Sequence, residues 1–271
     1  MVNTLAGAIQ YISYTWEDGQ GRVEHSNTLN EPYNEINADS SDPVTWDGNT
    51  NGGYYVVTGG TADNPITFSE RITVTGAVHL ILTDNCALTA SKGITVSEGN
   101  SLTIYATSEG SDMGKLIATG ENTSAGIGGF TTYNDSGHDA THTSGGTITI
   151  HGGSVTATGN SGAGIGGGMT ASADKVGNGG NITIYGGDIT ATGKNGGAGI
   201  GGGSYNQSDF SPGGDGGEIS IYGGKVKATG EAGTIIASGA GIGGGGYGNG
   251  GIINIRGGEI EATGIDGAGI G

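Results

Sequence analysis

GTITIHGGSVTATGNSGAGIGGG, residues 146–168, decides the fold, because the chain repeats it three more times. It returns as GNITIYGGDITATGKNGGAGIGGG (180–203), as GEISIYGGKVKATG followed by GAGIGGGG between 217 and 246, and as GIINIRGGEIEATGIDGAGIG (251–271). Self-similarity at a period of 20–50 residues marks a solenoid, in which each unit buries its apolar face only against its neighbours.

Within each unit, apolar and polar residues alternate in short runs, which is the period of a strand and not of a helix. Upstream, the same pattern repeats about every 22 residues. Three apolar columns follow. The first runs Ile72/Val74, Ile94/Val96, Ala125/Ile127, Ala163/Ile165, Ala198/Ile200, Ala240/Ile242 and Ala268/Ile270. The second starts at Leu80/Leu82 and Leu102/Ile104 and continues through Ile148/Ile150, Ile182/Ile184, Ile219/Ile221 and Ile253/Ile255. The third runs Ile66/Phe68, Leu88/Ala90, Leu116/Ala118, Val155/Ala157, Ile189/Ala191, Val226/Ala228 and Ile260/Ala262. An all-β fold satisfies the three columns at once: a three-sided, right-handed parallel β-helix, with like residues stacked along its axis. The line of Ala in the third column suits a narrow interior corner, and Gly-Gly pairs such as Gly152–Gly153 suit tight turns. Coils spaced by about 4.8 Å predict a rod of roughly 30–35 Å.

Residues 1–52 fall outside this register and read as an N-terminal cap or short β-extension. Residues 53–271 read as the β-helix, with 22-residue coils to about 105 and longer glycine-rich coils after. The last repeat breaks off at Gly271, which reads as a piece cut from a longer chain.

Composition excludes several classes. Glycine makes up 63 of 271 residues without the strict third-residue period of collagen. The net charge of -17 argues against nucleic acid or an anionic membrane as partner. One cysteine, Cys86, permits no intrachain disulfide, and no apolar run approaches a membrane span.

Length variation concentrates at the corner between the first and second columns, where the loops grow to 129–147, 167–181, 202–218 and 244–252. Insertions confined to one corner of a solenoid often build its binding face. These loops carry Phe130, Tyr133, Asp135, His138, Asp139, Asp174, Tyr205, Asn206, Asp209, Phe210 and Tyr247. Rings beside Asn and Asp suit a sugar: ring faces meet C–H bonds and planar polar groups meet hydroxyls. The alternative is that glycine-rich loops recruit rings to pin themselves to the rod.

Two outward rows run along the faces. Thr83, Tyr105, His151, Tyr185, Tyr222 and Arg256 read as a stack at coil spacing that stabilises the fold, with an open aromatic strip as the other reading. Ser91, Thr119, Thr158, Thr192, Thr229 and Thr263 form a hydroxyl row, but Lys227 and Glu261 beside it spoil a flat threonine face. Gly126, Gly164, Gly199, Gly241 and Gly269 suggest a strip of bare backbone, which leaves lateral self-association open or lets the insertion loops fold over it.

The chemical motifs are sparse. GAGIGGG precedes no helix and is not a phosphate loop. His138 and His142 have metal-like spacing but no third ligand nearby. Asp135, Asp139, Asp174, Asp209 and Asp215 suit calcium or a glycosidase pair, yet no spacing singles out such a pair. No cofactor is implied, calcium is left open, and a non-catalytic role is favoured.

The stretch from Tyr54 to Gly129 contains YYVVTGG, RITVTGAVHLILTDNCALTASKGITVSEGNSLTIYA and GKLIATG…SAGIGG. With the repeats that follow and the opening YISYTWEDGQG, it resembles the glycine-rich β-helix regions of large secreted or cell-surface proteins of Gram-positive, often gut-dwelling bacteria. A more distant similarity is to the carbohydrate-binding β-helix proteins of cellulolytic clostridia, whose calcium sites have no residue-by-residue match here. The resemblance implies an extracellular or cell-surface module that binds polysaccharide or host glycan. A structural stalk or adhesin spacer, and a β-helix lyase or glycosidase, are the alternatives.

Overall fold

The computed structural model describes residues 8–42, 45–131, 144–169, 177–205, 212–233 and 238–271. They form a three-sided parallel β-helix. One sheet stacks Asn34–Ile36, Tyr54–Val57, Ala77–Leu82, Ser101–Ala106, Thr147–Ile150, Asn181–Ile184, Glu218–Ile221 and Ile252–Ile255 in that order. A second stacks Thr45–Asp47, Ile72–Thr75, Ile94–Thr95, Ile127–Gly128, Ile165–Gly166, Ile200–Gly201 and Ile242–Gly243. The third stacks Ile66–Phe68, Ala87–Ala90, Lys115–Thr119, Ser154–Asn160, Asp188–Lys194, Lys225–Gly230 and Glu259–Gly264. Each coil visits the first sheet, the third and the second, and then rises by one rung. No helix of the described residues is long and apolar enough to cross a membrane.

Alternation along the strands builds one continuous core. Ile148, Ile150, Ile182, Ile184, Ile219 and Ile221 are fully buried, as are Ile165, Ile200 and Ile242 on the second sheet. Identical residues stack without change of volume, so each coil presents the next with the surface it has just packed against. In the third sheet the register pairs Leu88 with Leu116, Val155 with Leu116 and Ala157 with Ala118, as the third column predicts.

The other two columns are each corrected by two residues at one step. Leu102 pairs with Val78 and Ile104 with Leu80, so Leu82 stands against Ala106 and not against Ile104. The cause is the unbroken apolar run Leu80-Ile81-Leu82, in which Ile81 points outward yet is fully buried. Ile94 pairs with Ile127, not with Ala125. The alternation is lost there because Thr95, the outward residue, is itself buried.

The rod begins before residue 53. Strands β3 (Asn34–Ile36) and β4 (Thr45–Asp47) already pair in parallel with Tyr54–Val57 and Ile72–Thr75. Trp46 plugs this first coil, wholly buried and 5.4 Å from the Tyr55 ring. Ahead of it, β1 (Ile9–Glu17) and β2 (Gly21–Leu29) form an antiparallel hairpin in full register from Ile9–Leu29 to Glu17–Gly21. The hairpin lies over the outside of the first sheet. Leu29, Tyr33, Val56 and Ile81 make a small second core there, with Ile9 and Tyr11 packed against it. This cover is what buries the outward Ile81.

The expected strip of bare backbone does not face solvent. Gly126, Gly164, Gly199 and Gly241 are buried, and a Cβ on Gly199 would meet the Thr229 amide nitrogen at 2.5 Å and the Gly241 oxygen at 2.6 Å. These glycines let the second-sheet corner close against the third-sheet backbone and the next coil, so neither lateral association nor the insertion loops explain them.

Ile184 lies in the middle of the column, between Ile150 and Ile221. Ile184→Ala is expected to cost about 2–5 kcal/mol, since neighbouring coils cannot collapse into the gap. Urea unfolding followed by circular dichroism measures this.

Candidate functional site

The loops between the second and first sheets all leave from one corner, so the coils stack their loop stems as they stack their strands. The Gly145 amide donates to the Asn178 carbonyl, Gly179 to Asp215, and Gly216 to Asn249. Side chains continue the ladder. Asn178 Oδ1 accepts from the Asp215 amide at 2.9 Å. Asp215 Oδ1 accepts from the Asn249 amide at 2.8 Å and from its Nδ2 at 2.9 Å. Asp215 therefore acts as a loop brace within this ladder.

Beside the ladder a cleft of about 340 Å³ crosses four coils and is lined by Glu98, Ser144, Thr147, Asn178, Asn181 and Glu218 over a glycine floor. The floor is bare because Gly180 and Gly217 have φ of +77° and +78°, and a Cβ on Gly217 would lie 2.2 Å from the Gly180 oxygen. Among the described residues the lining is rich in acceptors and amides and holds no arginine or lysine, which suits a hydroxylated neutral ligand better than an anion. Sequence reasoning passed over Glu98, Asn181 and Glu218. Their signal was their position on the variable corner, Asn181 and Glu218 at strand starts and Glu98 in the turn before Ser101.

Of the aromatic candidates, Phe130, Tyr205 and Tyr247 fall in described residues, and they have three different fates. Tyr247 is 53 % exposed, at a positive φ of 62° on the loop after Ile242–Gly243. Tyr205 is buried, with 2 % exposure, so its ring packs the loop stem and offers no face to a sugar. Phe130 is half-buried, with the Arg71 guanidinium 5.0 Å from its ring centroid. Arg71 is itself an interior brace. It donates to Thr95 Oγ1 at 2.7 Å, to the Lys92 carbonyl and to the Ala125 carbonyl. Burial pulls it down to about 9, which still leaves it charged at neutral pH. The reading that rings pin glycine-rich loops therefore holds for Phe130 and Tyr205. Tyr133, Asp135, His138, Asp139, Asp174, Asn206, Asp209 and Phe210 lie outside the described residues.

The outward aromatic row is a structural stack. It runs Tyr54, His79, Tyr105, His151, Tyr185, Tyr222; Thr83, placed in it from the sequence, instead turns its hydroxyl to the Val57 carbonyl. Tyr105, His151, Tyr185 and Tyr222 follow each other at 5.0, 4.9 and 5.0 Å, which is the coil spacing. Each ring face is covered by the next ring, so the row offers no stacking platform for a sugar.

The hairpin runs along this row. Tyr11 meets Tyr105 edge-on at 4.8 Å, and Trp16 stacks on Tyr222 at 5.1 Å. The Tyr14 amide donates to His151 Nδ1 at 3.0 Å, and Arg22 donates to the Tyr185 carbonyl at 2.9 Å. Arg256 follows Tyr222 at the end of the row, as expected, and there pairs with Asp18 in the hairpin turn at 3.6 Å and lies 5.8 Å from the Trp16 ring centroid.

Among the described residues no group of three His, Cys, Asp or Glu side chains is arranged to hold a metal ion. Cys86 is buried, and burial pushes its thiol up to about 11, which makes it a poor nucleophile at neutral pH.

Four stretches, 148–169, 182–204, 219–246 and 253–271, match the family model of the β-helix repeat. The glycine-rich part is a β-helix repeat region. The matched segments begin in the first-sheet strand of a coil and end at, or one residue past, the glycines that close the second-sheet corner, so the sequence family and the coil share one boundary. No curated protein and no solved structure matches the chain significantly.

Two substitutions separate the two fates of the loop rings. Tyr205→Ala is expected to destabilise by about 3 kcal/mol, as loss of a buried ring. Tyr247→Ala is expected to stay within about 1 kcal/mol. Thermal unfolding of both variants checks the contrast.

Proposed function

We propose that this chain is a rigid, non-catalytic β-helical module that holds carbohydrate outside the cell at the corner between its second and first sheets. The observation that supports this reading is the one-sidedness of the corner. Loop length, polar side chains and an exposed tyrosine concentrate where the stems are braced by the Asn178, Asp215 and Asn249 ladder. A polar cleft with a backbone floor runs beside them. Rigid stems under variable loops lower the entropy lost when a flexible polymer is held. The acidic balance of the chain favours a neutral polysaccharide or a host glycan over a polyanion. Calcium belongs to the proposal only as a ligand of the acidic loop residues.

A structural spacer is the second reading, and one observation favours it. The aromatic row is wholly engaged by ring stacking and by the hairpin, so on that face the molecule binds itself.

The test is a polysaccharide binding screen on the purified chain, with calcium or chelator, reading released sugar in the same wells. The proposal expects retention without release. It also expects at least about tenfold weaker binding when Glu98, Asn181 and Glu218 are replaced together by Ala, with unfolding midpoints unchanged. Released sugar would make the protein an enzyme, and silence across the panel would leave the spacer.

A further inference from the structure

The hairpin and the rod meet at one titratable hydrogen bond. The Tyr14 amide donates to His151 Nδ1, so this imidazole is neutral where the hairpin is docked and carries its proton on Nε2. The ring lies between Tyr105 and Tyr185, each within 5° of parallel. The charged and titratable groups around it are Arg22, Glu24 and His25 on the hairpin and Glu109 on the rod. Arg22 sits 4.2 Å over the Tyr14 ring and 3.6 Å from Glu109, and the Tyr14 hydroxyl donates to Glu109 at 2.5 Å, with Glu24 farther off at 3.5 Å. Glu109 is thus engaged by both Tyr14 and Arg22.

We propose that the N-terminal hairpin is an acid-released strap, held down at neutral pH by the Tyr14–His151 hydrogen bond and freed when His151 takes a second proton. Protonation places an N–H on Nδ1 where the lone pair was, facing the Tyr14 N–H. It also puts a cation into a desolvated stack near Arg22 and His25. The flanking tyrosine faces favour a cation and offset only part of this.

Burial, with His25 adding to it, pulls His151 from its ordinary value near 6.5 down to about 4 in the docked state. The released state therefore binds the extra proton first. Docking is at full strength above about pH 6.5 and weakens as pH falls from there to about 4. The loss is at most tenfold per pH unit, or roughly 300-fold in all. Release uncovers Val56 and Ile81, the outward apolar residues of the small second core, while the coil ladders keep every one of their hydrogen bonds.

The test is amide hydrogen exchange of residues 9–17 against pH, corrected for the intrinsic rate, with the coil strands as internal reference. In the native chain, protection of the hairpin is expected to fall by two to three orders of magnitude between pH 6.5 and 4, while the coils stay protected. His151→Tyr matches the neighbouring tyrosines of the stack and is expected to abolish the slope. Direct titration of the His151 ring by NMR in the native chain keeps the test independent of how that variant folds. A ring that titrates above about 6 in the native chain, or an equal acid slope in His151→Tyr, would overturn the proposal.

Discussion

The glycine-rich coils rest on one close approach. At the end of each of the last four second-sheet strands the chain turns at Gly128, Gly166, Gly201 and Gly243, with φ of +132°, +134°, +132° and +141°. A Cβ on any of the four would lie within about 2.1 Å of the carbonyl oxygen of the equivalent glycine one coil on. No other residue fits there without moving a backbone, so the glycine column sets how closely and in what direction coils stack. Once that spacing is set, the strands of all three sheets reach hydrogen-bonding distance together, identical isoleucines fall on one another, and the rings of the first sheet stack face to face.

The same periodicity that builds the rod has a cost at its sides. A solenoid face is a long ladder with no natural end. The outward rings of the first sheet would leave Val56 and Ile81 wet. The hairpin settles both problems by running along the axis. It meets Tyr105, His151, Tyr185, Tyr222 and Arg256 in succession, so a local element of 21 residues from Ile9 to Leu29 ties several coils together. Its ion pairs are exposed and contribute little, and the ring contacts and the part-buried hydrogen bond to His151 carry the docking.

Much of the fold was legible in the sequence because a repeat states its own register many times. The third column was read correctly throughout, since Ala alternates with Val, Leu or Ile and no described strand covers its outward face. The second column slipped by two residues at Leu80-Ile81-Leu82 for a reason no local pattern contains: Ile81 is apolar because the hairpin covers it from more than fifty residues away. The hairpin's partner was equally hidden, as Tyr14 and His151 are 137 residues apart. The candidate site was legible in its location and less so in its members. Aromatic residues in glycine-rich loops look exposed, but glycine leaves space beside the backbone, and Phe130 and Tyr205 fill it. Glu98 lines the cleft from a turn and Asn181 and Glu218 line it from strand starts, where a polar residue looks ordinary.

The most direct test of the glycine constraint compares Gly201→Ala with Gly99→Ala by urea unfolding. Both glycines have positive φ, +132° and +84°, but a Cβ on Gly99 meets nothing within 4 Å while one on Gly201 would lie 2.0 Å from the Gly243 oxygen. Gly99→Ala should therefore show only the backbone strain, about 1–2 kcal/mol. Gly201→Ala should cost at least about 2 kcal/mol more, or abolish folding of the coils that follow. Equal costs for the two would contradict the account, because coil stacking would then not depend on the glycine column.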